Sequence, residues 1–283
     1  MTRAVVLARG LGTRMQARDG VASLTPEQQR AADAGLKAMM PINGHAFLAY
    51  VLSAIADAGY RDVALVVAPD HEMLARYFAD NPPQRVRISF LVQPEPRGTA
   101  DAVLAVEPWA GTDPFLVMNA DNLYPVAALR DLASLDGPGF PAFDADDLVA
   151  TSNIPAARIR AFAFVELDDE GYLRSIIEKP GDAVASAPVG VAIPRSPVAS
   201  GFRRKNHAVS MNCWRFDARI FDACRDVPMS ARGEYEIPEA VGLAAARGVK
   251  IKAVPARGPV LDLSRRADAA DVSRRLEDVV PCP

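Results

Sequence analysis

The sequence has no surplus of positive charge. Its 32 lysines and arginines stand against 35 acidic residues, for a net charge of −3. That excludes a basic field able to hold a nucleic-acid backbone. Cysteine is scarce: Cys213, Cys224 and Cys282 are odd in number and lack C-x-x-C spacing, which excludes a disulfide framework and reads as reduced thiols. Three scattered histidines give no zinc-ligand pattern. No apolar run reaches about 18 residues, and the chain opens directly on a strand-like segment with no secretory leader pattern. No repeat, hexapeptide or longer, is visible. The expectation is a soluble cytoplasmic protein with neither nucleic acid nor membrane as partner. What is abundant is apolar: half of the 283 residues are hydrophobic, enough for one large core or two intimate ones.

Along the first half, short apolar runs alternate with helical patterns. Strands are expected at 3–8, 62–68, 86–92 and 115–119. Helices are expected at 25–35, 46–59, 71–80 and 99–109. The helix at 25–35 carries an N-cap threonine, a proline at its first position and a closing glycine. This rhythm argues for a Rossmann-like α/β fold, with a mixed, mainly parallel sheet flanked by helices and ligands at the carboxyl ends of the strands. Beyond about residue 140 the rhythm changes. Residues 136–147 read as a loop, 161–167 and 172–177 as a hairpin around "DDEG", and 187–206 as a surface excursion. A strand at 207–216, a helix at 234–248, a strand at 249–255 and a last helix near 270–280 follow. No long linker appears, so 1–283 reads as a single domain with halves at about 1–140 and 141–283.

The first strand runs into "VVLARGLGTRM". Glycines after a strand let the backbone approach a phosphate. A P-loop is excluded because no Gly-Lys follows, and a dinucleotide fold lacks its third glycine, since Met15 occupies that position. What remains is a glycine loop followed by an arginine, whose planar fork suits phosphate oxygens.

Six segments in order resemble the sugar-1-phosphate nucleotidyltransferase family: "LARGLGTRM", "GLKAMMPI", "QPEPRGTADAV", "VMNADNLYP", "IIEKP" and, weakly, "PVLDLSRRADAADV". The resemblance implies a nucleotide cradle from Ala8, Gly10, Gly12 and Thr13, with Gln93, Gly98 and Thr99 at the base. Gln93 carries a donor and an acceptor for the O4/N3 edge of uracil or thymine, and Gly98 lets the backbone pass close to the base. Arg14 and Lys37 are implied as cations on the triphosphate and Lys179 on the sugar phosphate. Asn119, Glu178 and Asn212 are implied at the sugar, and Asp121 and Asp262 as ligands of Mg²⁺. The implied reaction joins an NTP, UTP or dTTP first, to a sugar 1-phosphate and releases pyrophosphate. A homo-oligomer is compatible with it. Two other readings stay open: a CTP-dependent enzyme acting on an alcohol phosphate such as phosphocholine, and a catalytically silent sugar-nucleotide sensor.

The departures are specific. Arg9 replaces a small residue and either points out of the cradle or adds a phosphate contact. Leu36 replaces a proline, "SRRAD" replaces GTPxx after Asp262, and "FAF" and "MNCWRF" differ from the usual segments. From Arg14 to Lys37 is 23 positions, and the extra helix there is expected to close over the triphosphate.

Overall fold

The computed structural model describes residues 2–10, 12–17, 24–159, 162–177 and 208–283. Fourteen strands are found among them. β1 is Arg3–Leu7, β2 Pro41–Ile42, β3 His45–Ala46, β4 Asp62–Val67, β5 Arg87–Val92, β6 Phe115–Asn119 and β7 Asn122–Leu123. β8 is Gly139–Asp144, β9 Ala163–Leu167, β10 Leu173–Ile177, β11 Ala208–Ser210, β12 Trp214–Phe216, β13 Lys252–Ala256 and β14 Leu261–Asp262. Ten of these form one mixed sheet, in the order β10-β9-β11-β8-β12-β6-β1-β4-β5, with β13 also on β8. The run β6-β1-β4-β5 is parallel throughout, and β12 joins it antiparallel through β6. Both halves of the chain therefore contribute to the same sheet.

The side-chain period of two explains why both faces are covered. In β1, Ala4 and Val6 enter one core and Val5 the other. Val63 and Leu65 separate from Ala64 and Val66 in the same way, as do Leu116 and Met118 from Phe115 and Val117. The helix Phe47–Asp57 is buried at ten successive positions, which its apolar sequence permits on every side. Helix Pro26–Asp33 has the threonine cap expected for it, completed by Gln28 into a reciprocal capping box.

Several expectations are corrected. The segment 136–147 is not a loop: β8 lies inside the sheet and runs directly into the helix Ala145–Thr151. Its glycine and prolines read as breakers, yet Phe140, Ala142 and Phe143 are fully apolar and buried, and burial outweighs propensity. The strand expected at 207–216 is two strands, broken at Asn212, whose φ is 59°. The helix expected at 99–109 is two, Thr99–Leu104 and Glu107–Ala110. Helices Val126–Ala133 and Arg219–Asp226 were not anticipated. The hairpin is present as β9 and β10, paired antiparallel. The excursion at 187–206 lies outside the described residues.

Parallel pairing brings the carboxyl ends of β1, β4, β5 and β6 to one edge. The ladder continues just past the strands: Ala8 N–H donates to Val66 at 2.9 Å, Gln93 N–H to Val67 at 2.9 Å and Ala120 N–H to Leu7 at 3.2 Å. Here the two loop glycines differ. Gly12 has φ 63°, and a Cβ on it would meet the Gly35 carbonyl oxygen at 2.2 Å, whereas a Cβ on Gly10 would meet nothing within 4 Å. Gly12→Ala is accordingly expected to lower folding stability by about 2–4 kcal/mol in urea denaturation, from left-handed strain plus overpacking. Gly10→Ala should leave the urea midpoint nearly unchanged.

Candidate active site

At this edge the phosphate loop passes into a one-turn helix, Thr13–Gln16, with Gly12 as its N-cap. Thr13 and Arg14 are exposed while Met15 is fully buried. Arg14 has no hydrogen-bond or ion-pair partner among the described residues. Lys37 opens a 3-10 turn, Lys37–Met39, immediately after Gly35 packs on Gly12. Its Nζ lies 2.8 Å from Asp121 Oδ2. An ammonium group has three protons to give, so Lys37 can hold Asp121 and still reach a phosphate oxygen.

Asp121 and Asp262 are brought together by a two-stranded ribbon. β14 pairs antiparallel with β7, placing Asp262 opposite Asn122, and Leu263 N–H donates to the Asp121 carbonyl at 2.9 Å. Burial, and then the charge of Asp121, push the Asp262 carboxyl up to about 6, with Arg158 pulling the other way. The surroundings of Asp262 are not those of an open ligand. Oδ2 accepts from Arg158 at 2.9 Å and Oδ1 from the Ser264 hydroxyl at 2.5 Å. Arg158 also reaches Asp268 Oδ1 at 2.7 Å, and Asp268 Oδ2 in turn accepts the backbone N–H groups of Ser264 and Arg265. Among the described residues, the Asp121 carboxylate has only Lys37, on one oxygen.

These donors fit Mg²⁺. Hard carboxylate oxygens suit it, and it takes one or two of them while drawing further ligands from substrate phosphates and water. The mutual repulsion of Asp121 and Asp262 is what a divalent cation discharges. Among the described residues no self-contained cluster of three or more His, Cys, Asp or Glu forms around such an ion.

The second lobe of the edge is the segment after β5. Gln93 is buried, and its Nε2 donates twice within the chain, to the Gly98 carbonyl at 3.0 Å and to Asp101 Oδ2 at 2.8 Å. Two acceptors fix the amide orientation, so only Oε1 remains to offer a base. In this arrangement the donor end of Gln93, expected at the base, is taken up by acceptors within the chain. Gly98, at φ 113°, is required by another strand of backbone: a Cβ there would lie 2.3 Å from the Tyr235 carbonyl oxygen. The absence of a side chain at Gly98 thus has a reason within the chain, apart from the expected approach of its backbone to a base. Thr99 Oγ1 accepts the Ile237 N–H at 2.9 Å, which starts the helix Ile237–Ala246. Arg9 turns out of the phosphate cradle, with Nε donating to the Gln93 carbonyl at 2.8 Å and Nη2 to Pro94 at 3.0 Å. It ties the phosphate loop to the base segment.

Asn119 ends β6, and Asn212 precedes β12, its antiparallel neighbour, at the same edge. Asn212 Oδ1 and Asn122 Nδ2 are buried with no hydrogen-bond partner among the described residues. Buried polar atoms are seldom left so, and these suit the hydroxyls of a ligand. Tyr124, fully buried, donates to the Met211 carbonyl at 2.5 Å and joins this corner to the acidic pair. Glu178 and Lys179 lie outside the described residues. The helix between Arg14 and Lys37 is fastened to the body, with Gln28 Nε2 on the Pro41 carbonyl at 2.9 Å and Asp33 on Arg266 at 2.6 Å. Sequence reasoning missed Arg158, Asn122, Tyr124 and Arg266. No local signal marks the two arginines, and the segment holding Arg266 reads as a solvated helix face.

Arg158 is the counter-charge to two buried carboxylates, its side chain 9% exposed against 3% and 8% for theirs. Arg158→Met should cost about 3–5 kcal/mol of folding stability at pH 7, since removing one partner strands buried charge. Because Arg158 favours the ionised form of Asp262, its contribution is present above the folded pKa of about 6 and fades as pH falls through it. Urea denaturation at pH 7.5 and pH 5 should therefore show the larger loss at pH 7.5.

The family model described as nucleotidyl transferase matches residues 3–263. A UTP–glucose-1-phosphate uridylyltransferase, AglF, from Haloferax volcanii is 28% identical over 276 residues, covering 98% of this chain and 97% of that protein. A glucose-1-phosphate thymidylyltransferase from Mycolicibacterium smegmatis is 27% identical, over 97% of this chain and 83% of the relative. Among solved structures, a UDP-glucose pyrophosphorylase complexed with UDP-glucose superposes with a TM-score of 0.74 at 18% identity, covering 98% of this chain and 99% of the other, which supports the fold. A match running from the first strand to the end of the β7–β14 ribbon makes this chain a member of the nucleotidyl transferase family.

Proposed function

We propose that this protein transfers a nucleotidyl group from UTP or dTTP to a sugar 1-phosphate, releasing pyrophosphate and an NDP-sugar. One observation carries the reading: the Lys37–Asp121 pair at 2.8 Å lies at the same carboxyl edge of a parallel sheet as Arg14, which is exposed and has no hydrogen-bond or ion-pair partner among the described residues. Cations and a hard carboxylate converge there as phosphoryl chemistry demands. The relatives named above act on UTP or on glucose 1-phosphate by their names.

In this reading the backbone of Ala8, Gly10, Gly12 and Thr13 cradles the triphosphate. Arg14 and Lys37 hold the β- and γ-phosphates and steady the departing pyrophosphate. Lys179 holds the sugar phosphate in line, so that its oxygen attacks the α-phosphorus, and positioning replaces any covalent nucleophile. Glu178, Asn119 and Asn212 receive the sugar hydroxyls. Asp121, seconded by Asp262, would hold Mg²⁺, which supplies charge neutralisation to the phosphates. At the base, an Oε1 acceptor meets the N3–H of uracil or thymine, while the N3 of cytosine is itself an acceptor. With Gly98 and Thr99 completing that wall, residues 1–140 serve the nucleotide and 141–283 chiefly the sugar.

Pyrophosphate release across all NTPs with glucose 1-phosphate, other sugar 1-phosphates and phosphocholine tests this directly. Turnover is expected with UTP or dTTP and a sugar 1-phosphate. Turnover confined to CTP and phosphocholine, or none with any pair, overturns the reading. Asp121→Asn should lower kcat by about 10³-fold or more in a folded protein. Asp262→Asn should cost less, since its oxygens are already engaged by the chain.

A further inference from the structure

The side chain of Arg266 lies beneath the phosphate loop, 3% exposed, and its hydrogen bonds among the described residues go to two segments. Nε donates to the carbonyls of Met15 at 2.8 Å and Ala17 at 3.0 Å, and Nη2 to Gln16 at 2.9 Å and to Asp33 Oδ1 at 2.6 Å. The three carbonyls form the carboxyl end of the one-turn helix that carries Arg14. Asp33 ends the helix that leads through Gly35 to Lys37. A helix of four residues does not sustain itself. Its internal bonds are few: Met15 and Gln16 N–H to the Gly12 carbonyl and Ala17 N–H to Thr13.

We infer that Arg266 is a positioning residue for the reaction, holding the backbones of Arg14 and of the Lys37 segment in register so that both cations meet the triphosphate. This rests on the function proposed above. The backbone of Arg14 is fixed from below while its own side chain stays exposed and unpartnered among the described residues, as a preorganised contact requires. The alternative, a buried arginine that only stabilises the fold, does not account for why its acceptors among the described residues lie on the two segments bearing the phosphate cations. The same turn also links the loop to the acidic pair. Arg266 follows Ser264 and Arg265, whose N–H groups Asp268 holds, and Arg158 joins Asp268 to Asp262.

Arg266→Lys is the informative variant, because an ammonium keeps the charge but cannot span three carbonyls and a carboxylate with one planar fork. Binding of UTP with Mg²⁺ should weaken about tenfold by calorimetry and the KM for UTP should rise in parallel, while the KM for glucose 1-phosphate stays within about twofold. Amides 15–17 should exchange with deuterium faster and those of β1 should not. In the double variant Arg14→Ala/Arg266→Lys, the lysine change should add nothing to the loss from Arg14→Ala, since both act through one contact. Multiplying losses, an equal rise in both KM values, or wild-type UTP affinity in Arg266→Lys overturns the inference. If Arg14→Ala alone leaves UTP affinity intact, the assignment of Arg14 falls with it; damage from Arg14→Ala without damage from Arg266→Lys overturns this inference alone. Arg266→Met, which removes the charge, should behave like the lysine variant or worse if it folds.

Discussion

Two carboxylates of like charge, Asp121 and Asp262, are brought together because β14 pairs with β7 and sets Asp262 opposite Asn122, the residue after Asp121, while the Leu263 N–H donates to the Asp121 carbonyl. Much of the site is organised by the need to balance that pair. Lys37 answers Asp121 from the nucleotide half of the chain. Arg158 answers Asp262 from the other half and is shared with Asp268. Neither cation is optional in a low-dielectric edge, where an unanswered charge costs several kcal/mol. The carboxylates thereby fix where the cations stand. In the reaction proposed above, a substrate carrying phosphates and a metal ion would replace some of these internal contacts with its own, and the acidic pair would be the point about which that exchange turns.

Around this centre the mobile-looking parts of the sequence are bound to one another by backbone acceptors. Arg9 joins the phosphate loop to the base segment through two carbonyls. Gln93 spends its amide protons on Gly98 and Asp101, so the base segment is rigid before any base arrives. Gly98 admits the Tyr235 backbone, and Thr99 starts the helix that follows it. Preorganisation of this kind lowers the ordering cost of binding. It also narrows what the site can recognise: an amide with its donors used can be answered only by a donor on the base.

The parallel core was legible because its strands are short unbroken apolar runs, and β1, β4, β5 and β6 fall where the runs predict. The motifs assigned Asp121 and Asp262 to one ion, and the structure brings the two segments together, but the contact of Asp121 with Lys37, 84 residues away, was not read from them. β8 was not legible, since Gly139 and Pro141 are turn residues by propensity and only the sheet around them supplies the burial that overrides it. The break at Asn212 was hidden for a related reason, because a positive φ has no local sequence signature in an asparagine flanked by apolar residues. Arg158 and Arg266 were illegible in principle. An arginine reads as solvated until its acceptors, contributed from over a hundred residues away, are known.

The segment that departs furthest from the family pattern, "SRRAD" after Asp262, shows how such a departure can be tolerated. Where the family pattern has GTPxx, this chain has a serine whose hydroxyl holds Asp262, an exposed arginine, and a second arginine turned inward under the phosphate loop. Placing Arg9 where the family pattern has a small residue and lengthening the chain between Arg14 and Lys37 both loosen the local determinants of the loop. Arg266 restores them from a distance, by satisfying carbonyls that a one-turn helix leaves unpaired at its end. The altered motif and the altered loop are thus two sides of one contact, and neither departure is interpretable without the other.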